Sequence, residues 1–296
     1  MKIFARACAS LLFTPLLVHA QQPASATFRP TLLESFDAEY SYSAPADLKR
    51  GPALGEVAVH HTQVSFSGRL PTKAAMVIYG AAASVNTLEA DAGLALPDRL
   101  GELTLNLGVS KRFSPQWSAA FFLRPGVYGD LEDFSSDTFN APALLLVNYA
   151  TSEALRWTLG VRADFFSDRA VLPVAGVSWA FQPGWKFELG FPRAGVSWEK
   201  NEGFTLRAGL SVQGGSYRLT QDLGSPAPGV ARLRDTYVEY RELRLGAGAE
   251  WKVAEKMSIL AEAGVMTDRR FEYYDRNYTL NGDAAPYVTL GVKGRF

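Results

Sequence analysis

Long runs of apolar–polar alternation dominate this sequence. Leu103, Leu105, Leu107 and Val109 alternate with Thr104, Asn106, Gly108 and Ser110. The same period of two returns in Leu155–Phe165, in Phe204–Gln213 and in Glu242–Trp251. Successive side chains of a strand point to opposite faces, so each run has one apolar and one polar face. A soluble sandwich is satisfied with strands of about 5–6 residues. The runs here continue for about ten, the length that a tilted strand needs to cross a bilayer. Helix formers gather only at Val253–Met257, and no segment approaches the roughly 18 apolar residues of a helical span. The chain reads as all-β.

Connections supply a second signal. Short turns are expected at Ser114–Gln116, Thr151–Ala154, Gln182–Gly184, Lys200–Gly203 and Val253–Glu255. Between several of them fall longer polar links near 44–53, 83–98, 129–140, 222–234 and 268–284. Short turns at one end and long loops at the other are the habit of outer-membrane barrels. Trp117, Trp157, Trp185, Trp198 and Trp251 lie close to short turns, as an aromatic girdle requires. Gly160, Gly176, Gly209, Gly246, Gly248 and Gly264 leave room inside a closed barrel.

Residues 1–20 read as a secretory signal: Lys2 and Arg6, a largely apolar stretch to Val18, and cleavage after Ala20. The only cysteine, Cys8, lies within it, so no disulfide or cysteine-based zinc site is available to the exported chain. The whole chain carries 30 basic and 30 acidic side chains; losing Lys2 and Arg6 leaves 28 against 30, a net charge of −2. That balance excludes a nucleic-acid binder working through a basic surface. Residues 21–32 are expected to be a periplasmic or plug segment, and 33–296 the barrel.

The last strand, Pro286–Phe296, sets Val288, Leu290, Val292 and Phe296 on one face and Tyr287, Thr289, Lys293 and Arg295 on the other. A terminal Phe closing an amphipathic strand resembles the insertion signal of Gram-negative outer-membrane β-barrels. Their usual aromatic two residues earlier is Gly294 here. The segments Leu189–Trp198 and Gly214–Leu219 are similar to a barrel family of unknown function, and more distantly to barrels assigned to uptake of hydrophobic compounds, such as those linked to phenol degradation. The resemblance implies an outer-membrane location, contact with the lipid bilayer and lipopolysaccharide, insertion by the barrel-assembly machinery through Phe296, and no cofactor.

Fourteen strands are predicted, at 33–43, 54–69, 72–82, 99–113, 116–128, 141–150, 155–166, 171–181, 185–191, 194–199, 204–221, 235–252, 256–267 and 286–296. An even count puts both termini on the periplasmic side of a closed antiparallel transmembrane barrel. The ninth and tenth are short and joined through Pro192, which cannot donate to a ladder. A tight structural hairpin is the simpler reading; the alternative is a notch in the wall, or twelve strands in all.

On the polar face, Arg156, Arg162, Asp164, Lys186, Glu188, Arg207, Glu242, Arg244, Glu250, Glu262, Lys293 and Arg295 are expected to line the lumen. Seven are basic and five acidic, so mutual pairing is expected rather than strong ion selectivity. Catalysis is not expected. Beyond the signal only His60 and His61 remain, and Ser65 lies about 13 Å along the strand from His61. Asp130, Glu132, Asp133 and Asp137 lack the spacing of a calcium loop and read as a solvated acidic loop. Arg269, Arg270, Phe271, Tyr273, Tyr274, Arg276 and Tyr278 read as a basic-aromatic rim loop. The expected function is passive movement of a small solute, apolar by the distant resemblance, with a closed structural or surface-interaction barrel as the alternative.

Overall fold

The computed structural model describes residues 33–296; the expected signal and the 21–32 segment lie outside the described residues. Fourteen antiparallel strands close into a barrel. They are β1 (Ser35–Lys49), β2 (Ala53–Pro71), β3 (Met76–Ala90), β4 (Arg99–Arg112) and β5 (Trp117–Leu123, continued by Gly126–Gly129). Then follow β6 (Phe139–Asn140, continued by Ala143–Ala150), β7 (Leu155–Ala163), β8 (Val171–Gln182), β9 (Trp185–Leu189) and β10 (Arg193–Asn201). The last are β11 (Phe204–Leu219), β12 (Thr236–Ala254), β13 (Met257–Tyr273) and β14 (Tyr278–Gly282, continued by Ala285–Arg295). Each strand pairs with its sequence neighbours, and β1 pairs with both β2 and β14, which closes the ring. Pro125 and Pro142 mark the breaks in β5 and β6, since proline offers no N–H to the ladder.

One end of the barrel is trimmed to the turns 72–75, 113–116, 151–154, 183–184, 202–203 and 255–256. Both ends of the described chain meet there, where the Phe296 N–H donates to the Glu34 carbonyl at 2.9 Å. Aromatics ring the same end: Trp117 packs on Tyr149 at 4.6 Å, Trp185 stacks on Trp198 at 5.9 Å, and Phe204 lies 5.6 Å from Trp251. Above this girdle the outer wall is apolar and exposed, as with Leu103, Leu105, Leu159, Leu245 and Leu290.

Toward the other end the polarity inverts. In β12 the outward side chains change from Leu245 and Leu243 to Arg241 and Glu239, while the inward ones change from Arg244 and Glu242 to Tyr240 and Val238. Inward residues of β2 change likewise from His61 to Val59 and Val57, and those of β13 from Arg269 to Phe271 and Tyr273. Leu48, Leu88, Leu100, Tyr128, Tyr217, Leu219 and Leu280 join them in a single buried cluster. A wall that is polar outside and apolar inside is the pattern of a water-soluble barrel. This part is therefore a dome standing above the apolar belt, its axis filled by its own core.

The dome is built by nine strands, because β6–β10 end lower. Its seam lies between β11 and β5, where Arg218 and Gly129 make a parallel bridge. β11 bends there at Gly214, whose φ of +129° and close approach to the Tyr240 carbonyl exclude a side chain. Asp130, buried beside the seam, accepts from the Thr220 N–H at 2.7 Å, the Thr220 hydroxyl at 3.0 Å and the Gln221 N–H at 2.8 Å. Asp130→Ala leaves these donors without their acceptor, a cost of about 1–3 kcal/mol. The expected result is faster hydrogen exchange at the Thr220 and Gln221 amides, with the girdle end unchanged. In the link 220–235 beyond, the Arg232 Nε–H, shared between both carboxylate oxygens, and the Gly224 N–H hold the Asp222 carboxyl below its ordinary range.

Three expected loops are corrected by the dome. β1 continues through 44–49 past an irregularity at Pro45, and β3 continues to Ala90. The 268–284 segment is a strand hairpin, with only 274–277 at its tip: Arg269, Phe271 and Tyr273 are fully buried. A bulge at Thr267, where Leu243 pairs with Asp268 but Arg244 with Met266, shifts the phase of β13 by one residue. The acidic loop is corrected in part, because Asp130 is buried rather than solvated.

Candidate functional site

The charged side chains of the inner wall are held mainly in pairs. Arg162 meets Asp164 at 2.5 Å, Lys186 meets Glu188 at 2.6 Å, and Lys293 meets Glu250 at 2.5 Å. Arg207 and Arg193 both approach Glu262, at 3.4 and 3.5 Å, and Arg295 reaches Asp37 at 3.2 Å near the turn end. Arg156 stands apart, with no ion pair to a described residue. Inward charges need such partners because an unpaired one out of water costs several kcal/mol.

The tightest group lies under the dome core. Glu242 accepts from Arg244 at 2.6 Å and from Arg269 at 2.8 Å, with all three side chains almost wholly buried. Arg244 also donates to the Ser41 and Ser43 hydroxyls at 2.8 and 2.9 Å, and its guanidinium covers the Tyr287 ring at 4.8 Å. A second polar chain runs His61 Nδ1–Asn86 Oδ1 at 2.9 Å, then Asn86 Nδ2–Tyr217 hydroxyl at 3.2 Å. His61 is thus partnered by an amide, while His60 points outward to the Tyr40 hydroxyl at 2.7 Å. Among the described residues no group of three or more His, Cys, Asp and Glu side chains is arranged to hold a metal.

Sequence reasoning missed Arg124, Glu102 and Arg193, and placed Arg269 in a rim loop rather than on the inner wall. Arg124 follows β5's first piece and binds Glu102 at 2.7 Å; only its place before Pro125 hinted at a special position. The Glu242–Arg269 contact joins strands that pair through a bulge, so no simple spacing marks it.

A cavity of about 1430 Å³ opens beneath the dome. It runs from the turn end, at Thr72–Ala75 and Gln182–Gly184, up to Leu189–Pro192 at the top of the β9–β10 hairpin. There the wall is incomplete. β8 pairs with β9 only from Val177 to Gln182, while its upper residues, 171–176, pair with β7 alone. Six residues at about 3.3 Å each make the missing rise about 20 Å along the strand. β11 pairs with β10 from Phe204 to Ser211, gains one bond from the Val212 N–H to the Pro192 carbonyl at 2.9 Å, then bends into the dome. Residues 164–170 span the top: the Ser167 hydroxyl and Asp168 N–H donate to Glu239 at 2.6 and 2.8 Å, and Phe166 packs 5.1 Å from Tyr237. The gap in the ladder is thus framed on four sides. Val171 and Phe165, at its upper corner, are 64% and 77% exposed, which places the gap within the apolar belt.

Comparison with curated proteins finds no match. Among solved structures the chain is similar to an outer membrane channel from Pseudomonas putida F1, at 13% identity and a TM-score of 0.48, covering 93% of this chain and 100% of that one. It is also similar to the NanC porin, at 10% identity, 88% and 100% coverage and a TM-score of 0.43. The P. putida toluene transporter TodX follows at 9% identity, 89% and 90% coverage and a TM-score of 0.43. Residues 58–285 match the family described as Domain of unknown function (DUF6268), and the chain belongs to that family.

Proposed function

We propose that this protein is an outer-membrane channel that passes a small apolar solute sideways, between the bilayer and its lumen, through the gap above the β9–β10 hairpin. One observation carries the reading: the cavity reaches the link 190–192 where the wall is lowest, while the barrel axis above is filled by the dome core. A solute in the lumen has an exit at lipid level and none along the axis. The turn end, with its aromatic girdle and both chain ends, faces the periplasm in this reading, and the dome faces outward among lipopolysaccharide. Insertion is by the barrel-assembly machinery reading the exposed Phe296. The distant sequence likeness to barrels for uptake of hydrophobic compounds points the same way. A closed structural barrel is the second reading, favoured by the paired charges of the β10–β14 side.

The test uses Phe191→Cys in a chain whose only other cysteine is Cys8. Cells producing the protein are expected to accumulate the apolar dye N-phenylnaphthylamine faster than cells lacking it. A bulky maleimide on Cys at 191 is expected to return the rate to background, while the same reagent on Glu132→Cys, an exposed position in the link 130–138, leaves it unchanged. Uptake indifferent to modification at 191 refutes the lateral path and leaves the closed barrel.

A further inference from the structure

We infer that the chamber below the gap is a binding site for a small amphiphilic anion, an apolar body carrying one carboxylate-like group, whose charge is met by Arg156. The inference rests on the channel reading above and names its substrate class. Two features of the inner wall carry it.

The first is an apolar patch where a polar lumen is the rule. Ile78, Ala120, Phe122 and Leu144 are buried together on the inner faces of β3, β5 and β6, with Met76, Leu146 and Val174 packed against them and partly exposed. All seven border the cavity. Two glycines flatten the patch against the wall. A Cβ on Gly108 would lie 2.7 Å from the Phe122 ring, and one on Gly160 would lie 2.7 Å from Leu146 Cδ2. The ring and the leucine occupy that space, which leaves the cavity beside them open. Apolar surface facing a chamber is stabilised when an apolar solute covers it and takes it out of water.

The second feature is the placement of charge. Seven Lys and Arg residues border the cavity against four Glu. Most of the inward ones are neutralised in place, Lys186 by Glu188, Arg69 by Glu34 and Arg193 by Glu262. Arg156 is not. It lies opposite Ser178 in the ladder, while Gly160 and Val174, at the level of the patch, are paired four residues higher. That separation is about 13 Å along the strand. Between them Thr158 donates to Asn148 at 2.7 Å, a neutral pair that asks nothing of a ligand. A solute whose body rests on Leu146 and Val174 therefore sets a terminal anion toward the Arg156 guanidinium and the turn end. A cationic head meets an excess of like charge there, and a neutral one leaves Arg156 without a partner.

Binding to the full chain in nanodiscs tests this, with octanoate, 1-octanol and octylamine as probes in titration calorimetry. Octanoate is expected to bind at least about tenfold more tightly than either analogue, a difference of about 1.4 kcal/mol, because only its carboxylate makes a charge-assisted hydrogen bond to the guanidinium. Arg156→Gln is expected to remove that preference and leave octanol unchanged. Leu146→Asn is expected to weaken both probes by about tenfold or more, as a polar group replaces contact surface. Equal binding of octanoate and octanol, or a preference that survives Arg156→Gln, overturns the substrate class. If dye uptake nonetheless responds to modification at 191, the lateral channel stands and only its substrate is wrong. If neither binding nor uptake is seen in a folded barrel, both readings fall.

Discussion

Glu242→Ala is expected to destabilise the folded barrel by about 3–5 kcal/mol, because it leaves two buried guanidinium groups facing one another without the carboxylate that joins them. Glu242 accepts from Arg244 on one oxygen and from Arg269 on the other, and none of the three reaches solvent appreciably. Arg269 keeps only the Val57 carbonyl among its described partners, whereas Arg244 keeps the Ser41 and Ser43 hydroxyls. Denaturant unfolding in detergent, followed by the tryptophans of the girdle, reads the loss. Glu242→Gln is expected to fall between, since it keeps an acceptor but not the charge. Replacing all three members by Leu or Met of similar bulk is expected to recover most of the stability, as removing a whole buried ion cluster costs far less than removing one partner. A Glu242→Ala protein within about 1 kcal/mol of the parent contradicts the burial on which the argument rests.

The lower half of the barrel was legible because an apolar outer face and a polar inner one give each strand one unbroken phase. Leu103 to Val109 in β4 and Leu155 to Val161 in β7 show it directly, and all fourteen strands lie where the alternation put them, though several run further. The dome was illegible for the same reason. Tyr240 and Val238 sit in the opposite phase to Leu243 and Leu245, although the pairing of β12 with β11 runs through them without a shift. A phase change without a bulge marks the height at which the outer face turns from apolar to polar, and it was the signal available. In β13 the bulge at Thr267 scrambled even that signal, so Arg269 through Tyr278 passed for a rim loop. Of the twelve charged residues chosen from the polar face, ten meet in five pairs: Arg162–Asp164, Lys186–Glu188, Arg207–Glu262, Arg244–Glu242 and Lys293–Glu250. Parity chooses the face; partners such as Arg193 and Arg269 depend on tilt and register, which the local pattern does not carry.

The dome also sets the electrical behaviour of the barrel. In a planar bilayer the refolded protein is expected to show no steady ion-conducting steps, since Leu48, Val59, Leu100, Tyr217, Tyr240 and Phe271 belong to one apolar core across the axis. Replacing residues 215–240 with an Asn-Gly turn, so that the paired residues Gly214 and Arg241 are joined as a tight hairpin, is expected to turn this silent barrel into a conducting one. The replacement removes Tyr217, Leu219, Leu233, Val238 and Tyr240 from the core. It also removes the Arg218–Gly129 bridge and the three donors held by Asp130, the contacts that join β11 to β5. The fourteen-strand wall below is untouched, with β11 and β12 still paired from Phe204 to Gly214. Exposed apolar walls of the remaining dome have no opposing surface to close on, and water enters where it was excluded. Arg244 and Glu242 then border a wet path, and the current is expected to respond to Glu242→Gln. Steady conductance in the parent protein excludes the filled axis, and silence in a shortened barrel that still binds octanoate shows that a second barrier lies below the dome.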